Sequence, residues 1–471
     1  MRGLMVLAFT ALLAACTVGP DYVRPVIDVP DAFNNGDSNA HQSANIAWWK
    51  QFQDPVLDSL ITEALANNRN IKIAVANIEQ AAAVLTQTQS AFYPQIGYNG
   101  SGAKERASEA GAIPLPLIIQ NPRTSYEVLA SASWEIDLWG RIRRLSESAQ
   151  AELLATEAAW HGVILSLVAS VANTYIQLLG LDEQLLVSKR TLATYAESLK
   201  LFELRFKYGQ VSQMTVAQAR SQYETASAAI PPLESQIAQT ENALSVLLGR
   251  NPGPVRRGKT IHQLALPPVP AELPSDLLVN RPDIRQAEET LIAANAQIGA
   301  AKALYFPTIS LTGAYGYASS DLSDLFKGQA RLWSYTGSIT GPIFTGGAIF
   351  SQVKQTEAAR KAALFGYELT IQSAFADAEN ALVARSKLVD QVQAQRRLVE
   401  ANSDYVRLAR LQYDGGYAPY STVLQAEQQL FPSELNYVQY RAALFTSLVN
   451  IYKAMGGGWQ VVSSGEALSV R

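Results

Sequence analysis

The pattern of apolar and polar positions occurs twice along the chain, each time as a glycine-bearing turn that leads into a long helical run. The two copies span residues 206–249 and 413–456. A shift of 207 positions lays one copy on the other with six identities in fourteen positions, and it pairs Gly209 with Gly416. Because the period is far longer than that of a short-repeat solenoid, the pattern indicates a duplicated domain.

Two stretches that precede these turns predict very long helices. Residues 141–207 and 351–412 keep helical spacing of apolar positions and contain little Gly or Pro. At 1.5 Å per residue, each helix would extend roughly 90–100 Å. Their apolar faces mix Leu and Val with Ala, Ser, Thr and Gln, which favours several helices packed side by side over a two-stranded coiled coil.

Each long helix is followed by a predicted returning helix, at 212–248 and at 420–455. Pro231 and Pro232 fall inside the first of these helices, and Pro432 falls inside the second. A proline in a helix interior removes a backbone hydrogen bond and clashes with the preceding turn. We therefore expect a break at each site, with shorter helices beyond it.

Period-two alternation predicts four strands, two in each half of the chain, at 95–102, 124–139, 308–317 and 333–344. Leu129 interrupts the alternation of the second strand. Aromatic residues gather where a barrel wall meets lipid headgroups, although they are also favoured in strands generally. The aromatic residues in and beside these strands are Tyr98, Trp134, Trp139, Tyr315, Tyr317, Trp333 and Tyr335.

Four strands are too few to close a transmembrane barrel, which needs at least eight. Only helices and closed barrels satisfy every backbone group in lipid, and no later stretch approaches eighteen consecutive apolar residues. Several copies of the chain must then share one barrel, and the same symmetry would place their long helices in a shared tube. From the pattern alone, a dimer and a trimer both remain possible.

The first residues predict a secretory signal peptide over 1–15, with Arg2 followed by an apolar run. Leu13-Ala14-Ala15-Cys16 resembles a bacterial lipobox, in which the cysteine becomes the acylated N-terminus; the alternative is an ordinary signal peptide with an incidental cysteine. Thr17 follows in place of the aspartate that retains lipoproteins at the inner membrane, which favours the outer membrane. Cys16 is the sole cysteine, so no disulfide forms within the chain.

Composition divides the mature chain into segments. An arm rich in Pro, Asp, Asn, Gly and Ser covers 16–53, the first repeat covers 54–250, a proline-rich linker covers 251–279, the second repeat covers 280–456 and a tail covers 457–471.

Asp54 and Pro55 form a good helix start, and this helix should run to about residue 91. The preceding pair, Trp48 and Trp49, is interpreted as a buried anchor, with an aromatic ligand box as the alternative.

Charge and motifs exclude several classes of function. A net charge of −3 gives no basic surface for nucleic acid. His41, His161 and His262 have no second metal ligand at useful spacing, and the chain contains neither a phosphate-binding glycine loop nor a glycine-flanked nucleophilic serine. We therefore expect no enzyme activity, no metal and no cofactor.

Four motifs carry a family resemblance across the mature chain. They are WWKQFQDP at 48–55, NRPDIRQAE at 280–288, AQIGAAKALYFPTISLTGAYG at 296–316 and GGYAPYSTVLQAEQQL at 415–430. The chain resembles the TolC-like outer-membrane factors of bacterial tripartite efflux systems, in the acylated NodT and OprM branch.

The resemblance implies a mainly α fold with a transmembrane β-barrel portion. Internally duplicated helical hairpins would form a trimeric α-barrel, continuous with a twelve-stranded β-barrel to which each protomer gives four strands. The homotrimer would lie in the outer membrane, lipid-anchored, with a long periplasmic extension. It would conduct substrates passively from a periplasmic adaptor and an energised inner-membrane transporter. Alternatives are a duct for protein secretion, a non-porous periplasmic coiled-coil scaffold and a selective porin.

The resemblance also places a gate at the two hairpin tips, which close the tunnel and are held by the adaptor. Relatives often carry an aspartate one residue before the position of Pro419, where this chain has Ala418, so we expect an aromatic constriction in place of an acidic ring. The alternative is that the two glycines only end helices and have no part in gating. The tip residues are Gly209, Ser212, Tyr413, Asp414, Gly416, Tyr417 and Tyr420.

Overall fold

The computed structural model describes residues 17–33, 47–108, 120–270 and 274–459. The signal peptide, Cys16, His41 and residues 460–471 of the tail lie outside the described residues. The chain forms two compact units, and both contain segments from each half of the sequence. One comprises Met1–Val26, Asn77–Thr156 and Ala287–Tyr367; the other comprises Ile27–Ala76, Glu157–Gln286 and Glu368–Arg471.

The first unit contains an antiparallel sheet of four strands in the order β1-β2-β3-β4. The strands are β1 Gln95–Glu105, β2 Arg123–Ile136, β3 Thr308–Ser319 and β4 Arg331–Thr340. All four predicted strands are present, but β2 and β4 end earlier than predicted. Asp137 stops β2 because its carboxylate caps the next helix, accepting hydrogen bonds from the backbone N–H groups of Ile142 and Arg143 at 3.0 and 2.9 Å. Gly341 and Pro342 follow β4, and proline has no N–H to donate to a ladder.

The strand register gives the sheet two chemically different faces. Tyr98 pairs with Ala130, Ala130 with Tyr315 and Tyr315 with Trp333, so these side chains share one face. That apolar face also contains Ile96, Val128, Ala132, Trp134, Ile136, Ile309, Leu311, Tyr317, Tyr335 and Ile339. The polar face contains Gln95, Asn99, Ser101, Ser125, Glu127, Ser131, Ser133, Glu135, Ser310, Thr312, Ser334, Thr336 and Ser338.

Leu129, which interrupts the sequence alternation, lies on the polar face opposite Gly316. A Cβ atom at Gly316 would lie 2.9 Å from the Leu129 side chain. The missing side chain at Gly316 therefore leaves room for the leucine, and the register continues through β2 without a bulge.

Eight α-helices are present in the described ranges. They are α1 Pro55–Asn67, α2 Arg69–Gln89, α3 Arg141–Lys207, α4 Gln213–Leu247, α5 Pro274–Asn280, α6 Pro282–Ala303, α7 Ala348–Asp414 and α8 Tyr420–Ala454. The predicted long and returning helices are confirmed to within a few residues. The short helix α5 lies inside the segment that composition marks as a linker.

The prediction of one helix from Pro55 to about residue 91 is wrong, because α1 and α2 are separate. Asn68 is extended between them, with φ −58° and ψ 134°, and it is 3% exposed. Its side-chain oxygen accepts from the N–H of Asn70 at 2.8 Å, which caps α2, and its amide donates to the carbonyl of Leu247 at 2.7 Å, which caps α4. One side chain thus satisfies two helix ends, which favours the interruption.

The second repeat uses an arginine at the matching place. Arg281 lies between α5 and α6, is buried, and donates to the carbonyl of Ala454 at the end of α8 at 3.1 Å. Asp283 and Asp377 accept from the same guanidinium at 2.7 and 3.1 Å. In both copies a side chain between two helices donates to the last carbonyl of the returning helix. The donor is the amide of Asn68 in the first copy and the guanidinium of Arg281 in the second.

The predicted proline breaks are also wrong, since α4 runs through Pro231 and Pro232 and α8 runs through Pro432. All three prolines lie on exposed sides of their helices, while Leu233 and Phe431 beside them are buried. Packing of the buried side offsets the lost hydrogen bond, and carbonyls on the exposed side remain free to bond water.

Side chains from α7 also support α8 at Pro432. The amide of Asn402 donates to the carbonyl of Gln429 at 3.2 Å and to the hydroxyl of Ser433 at 3.1 Å. Gln395 donates to the carbonyl of Ser433 at 3.1 Å. Backbone carbonyls on both sides of the proline thus have additional partners from a neighbouring helix.

The second unit has a large apolar core, and the tryptophan pair anchors it as predicted. Trp48 is fully buried, stacks on Tyr452 with ring centroids 5.3 Å apart, and donates to the carbonyl of Gly457 at 3.3 Å. Asp54 is also fully buried and caps α1 by accepting from Val56 N–H at 2.9 Å. Tyr175 donates to the same carboxylate at 2.9 Å.

Helix α3 contains an 18-residue window that is long and apolar enough to cross a membrane. Of that window, 61% is buried inside the chain. The core helix of a soluble protein shows the same length, composition and burial, so the window is weak evidence for a membrane span.

Candidate functional site: the helical hairpin tips

Two tight turns reverse the chain between long helices, at 208–212 between α3 and α4 and at 415–419 between α7 and α8. In the first turn Gly209 has φ +72°, its N–H donates to the carbonyl of Phe206 at 2.9 Å, and Gln210 N–H donates to the carbonyl of Arg205 at 2.8 Å. In the second, Gly416 has φ +76° and makes the matching bond to Tyr413 at 3.0 Å. Both turns are Schellman motifs, which need a residue that tolerates positive φ.

The same motif ends the two returning helices. Gly249 and Gly456 have φ +75° and +76°. A Cβ at Gly249 would lie 2.6 Å from the carbonyl carbon of Asn67, whereas a Cβ at Gly209 or Gly416 would meet nothing within 4 Å. Backbone conformation alone therefore requires glycine at the tips, and close packing adds a second requirement at the other ends.

The helices that leave the tips begin in different ways. Ser212 caps α4, and its hydroxyl accepts from the N–H of Thr215 at 3.3 Å. Helix α8 follows Pro419, which provides no side-chain cap. The prediction of a sharp helix-to-helix reversal is confirmed for both copies.

Behind the turns, aromatic side chains pack the two hairpins together. The ring of Phe202 from α3 lies 4.2 Å from that of Tyr420, and the rings of Tyr413 and Tyr420 are 5.6 Å apart. Arg205 donates to the hydroxyl of Tyr413 at 3.1 Å, which links the two tips by a side-chain hydrogen bond. These contacts form one apolar cluster together with Ala219, Val406, Ala409, Val423 and Ala426.

Exposure separates the three tip tyrosines. Tyr420 is 9% exposed and Tyr417 is 89% exposed, while Tyr413 is half-buried. Asp414 ends α7 and is exposed. Within the chain, Tyr420 is a packing residue, and Tyr417 is the tyrosine that is free to meet another molecule.

One turn further into the hairpin, α7 and α8 are joined by an ion pair that the sequence motifs did not reveal. Arg410 donates to Glu427 at 2.6 Å, and the glutamate side chain is only 5% exposed. The second carboxylate oxygen of Glu427 is buried and has no hydrogen-bond partner among the described residues. Burial raises the pKa of Glu427, and the hydrogen bond from Arg410 partly opposes that rise.

A cavity of about 220 Å³ lies beside this pair, between α3, α7 and α8. Its lining includes Tyr195, Glu434 and Arg190, and Arg190 donates to Glu434 at 2.8 Å. The sequence signal for Glu427 was its place among Val423, Ala426 and Leu430, since a carboxylate at an apolar helical position is unusual. Its partner on another helix had no sequence signal.

The histidines show no metal chemistry in the described ranges. His161 packs between Trp160 and Trp459, with ring centroids at 4.9 and 4.3 Å. Burial lowers the pKa of His161, so its neutral form is favoured. No group of three or more metal-ligating side chains occurs among the described residues.

Comparison with known proteins gives consistent matches over nearly the whole chain. The model of the family described as "Outer membrane efflux protein" matches residues 60–250 and 273–457. The toluene efflux pump outer membrane protein TtgC of Pseudomonas putida is 36% identical over 468 residues, covering 97% of this chain and 96% of that protein. The cation efflux system protein CusC of Escherichia coli is 34% identical over 454 residues, covering 95% and 97%. The solved structure of the outer-membrane channel OprN matches with a TM-score of 0.87 and 29% identity, covering 94% of this chain and all of that one.

Proposed function

The chain belongs to the outer membrane efflux protein family, and from this premise we propose how its own residues make it the exit duct of a tripartite efflux pump. The predicted fold class and efflux function are confirmed by these relatives. The observation that carries the proposal is the two-faced sheet joined to paired helical hairpins. An apolar face suits lipid and a polar face suits a water-filled lumen.

The proposed working unit is a homotrimer. In the described part of the chain, β1 and β4 each have one edge without a pairing strand. An open strand edge cannot remain unpaired in lipid, and four strands are half of the smallest transmembrane barrel. Pairing β4 of one protomer with β1 of the next closes the wall, and three copies give twelve strands.

Lipid attachment at Cys16 is part of the proposal. Thr17, the next residue, packs against Gly140, where a Cβ would lie 2.7 Å from its methyl group. The N–H of Val18 donates to the carbonyl of Trp139 at 3.1 Å. Gly140 lies between β2 and α3, so the acyl chains of Cys16 would start where the sheet gives way to the helices, beside the headgroups of the periplasmic leaflet.

Gating is proposed at the hairpin tips. The periplasmic adaptor would also bind there, and substrate from the inner-membrane transporter would enter the duct at this end. Ala418 leaves no acidic ring at the usual place, and Asp414 is the nearby carboxylate. Three exposed Tyr417 rings, one from each protomer, would narrow the tunnel. The half-buried Tyr413 and the buried Tyr420 would hold each tip in position for this constriction.

Single-channel recording in a planar bilayer tests the proposal, with the oligomeric mass measured in the same detergent. We expect a trimer whose small conductance rises in the Tyr417→Ala variant. Tyr208→Ala is the matched control, since Tyr208 is 69% exposed in the other tip. A monomer without conductance would overturn the duct, whereas a conducting trimer with identical currents in wild type and Tyr417→Ala would overturn only the aromatic gate.

The exported compound follows from the pump more than from the duct. The named relatives belong to a toluene pump and to a cation system, although each is at least 34% identical to this chain. We therefore propose that the duct conducts small molecules passively and that the partner transporter determines which chemical class is exported.

A further inference from the structure

We propose that Glu127 is an ion-selecting residue of the channel, where it favours cations on the polar face of the sheet. This inference rests on the proposed duct, because a lumen requires the closed barrel. Glu127 lies in the sheet, far in sequence from the hairpin tips. It would therefore select permeating ions at a place separate from the proposed aromatic constriction. Three features of the described residues support it.

The first feature is the face on which Glu127 lies. Its backbone pairs with Ser101 on β1 and with Ala318 on β3, and its neighbour Val128 pairs with Gly100 and Tyr317 on the apolar face. Side chains of consecutive strand residues point to opposite faces. If the face with Tyr98, Tyr315 and Trp333 meets lipid, Glu127 meets the aqueous lumen.

The second feature is the lack of a partner for Glu127 within the described ranges. Among the described residues no hydrogen bond or ion pair involves its carboxylate. The other charged groups on the polar face are matched, since Glu135 accepts from Arg141 at 2.7 Å and Glu105 accepts from Arg123 at 3.1 Å. On the polar face, one negative charge per protomer therefore remains uncompensated among the described residues.

The third feature is the chemistry around it. The neighbours of Glu127 on the polar face are uncharged: Ser101, Ser125 and Asn99 are polar, and Leu129 and Ala318 are apolar. None of them neutralises or reverses its charge. Threefold symmetry would repeat this carboxylate at one level of the pore. Charges in a narrow, low-dielectric passage attract counter-ions and repel co-ions.

Salt concentration should control the effect. The Debye length is about 30 Å at 0.01 M and about 3 Å at 1 M ionic strength. The electric field of carboxylates on the wall therefore extends to the centre of the pore only in dilute salt. The cation preference of the wild-type trimer should therefore weaken steadily as salt rises, and this measurement needs no variant.

The test is the reversal potential across a planar bilayer with a potassium chloride gradient, measured for wild type, Glu127→Gln and Ser101→Ala. We expect a several-fold fall in the potassium-to-chloride permeability ratio for Glu127→Gln in dilute salt, and little change for Ser101→Ala. An unchanged ratio in Glu127→Gln overturns the inference while leaving the duct intact. If neither wild type nor the variants conducted ions, the result would instead contradict the proposed function.

A thiol variant tests the position separately. Glu127→Cys should react from outside the cell with a membrane-impermeant, positively charged thiol reagent, and the reaction should lower cation preference further. Val128→Cys, one residue along on the apolar face, is the matched control and should resist the reagent. Labelling is compared per assembled trimer, so a lower yield of either variant does not affect the result. Equal labelling of the two variants would overturn the assignment of faces.

Discussion

At the scale of single residues, the structure separates positions that need glycine for backbone conformation from those that also need it for space. Gly209 and Gly416 have positive φ and open surroundings, whereas Gly249 has positive φ and a carbonyl against its Cα. All four helix ends look alike in sequence, as a glycine after a helical run. The packing of Asn67 on Gly249 and of Asn280 on Gly456 distinguishes these two ends from the tips.

We predict that Gly209→Ala lowers the free energy of unfolding by about 1–2 kcal/mol, the usual penalty of left-handed backbone for a residue with a Cβ. Gly249→Ala should destabilise the protein more, because the added Cβ also meets the Asn67 carbonyl. Thermal unfolding of the two variants beside wild type measures the difference. Equal losses would mean that the Asn67 contact relaxes freely.

Glu427 predicts a specific pH dependence of stability. Burial raises its pKa in the folded protein above the ordinary value of 4.5, so the folded state holds this proton more tightly than the unfolded state does. Its contribution is therefore present below pH 4.5 and is lost as pH rises through the raised pKa. Glu427→Gln cannot titrate, so its melting temperature should fall less than that of wild type over this range. Parallel curves for the two proteins would contradict the assignment.

At the scale of elements, the proline-bearing helices stay continuous in their packed setting, and α8 also gains hydrogen bonds from a neighbouring helix. Pro432 removes a hydrogen bond from α8, yet Asn402 and Gln395 on α7 bond carbonyls beside it. Sequence reasoning predicts a break because it treats each helix alone. The same limit explains why the interruption at Asn68 was missed, since its side chain bonds α4, far along the chain.

We predict that Asn402→Leu destabilises α8 by about 1–3 kcal/mol, because it removes buried hydrogen bonds to Gln429 and Ser433. Hydrogen exchange of the α8 amides around Pro432 should become faster. Helix α4, near whose prolines no such hydrogen bond is made by the described residues, should be unaffected. Asn402→Asp retains the size of the side chain but not its donor and should act in the same direction. Unchanged exchange would mean that packing alone keeps α8 continuous.

At the scale of the whole molecule, the proposed duct places the two-faced sheet in the membrane and the paired hairpins in the periplasm. In that duct, lipid contact would make the apolar face intolerant of charge, whereas the polar face would be hydrated. Because the faces alternate residue by residue, adjacent positions on one strand should differ sharply in what they tolerate.

Adjacent residues on β3 test this division. An arginine on the lipid face of a barrel strand costs about 2–4 kcal/mol near the bilayer centre, and lumen positions tolerate it. Leu311→Arg should therefore reduce the trimer recovered from outer membranes, and Thr312→Arg should leave recovery near wild type. Equal recovery of both variants would show that the face with Leu311 does not meet lipid.

The sequence by itself determined the duplication, the long helices, the four strands, the glycine turns and the family, because periodicity and turn residues are local properties of the chain. The tip residues could be located in the same way. Tertiary structure alone decided that Tyr420 is buried and Tyr417 exposed, that Arg410 meets Glu427 and that Asn402 bonds α8 beside Pro432. It also decided that Glu127 meets no partner in the part of the chain that the structure describes. Each of these depends on which side chains from distant segments reach one another, and spacing along one chain does not encode that.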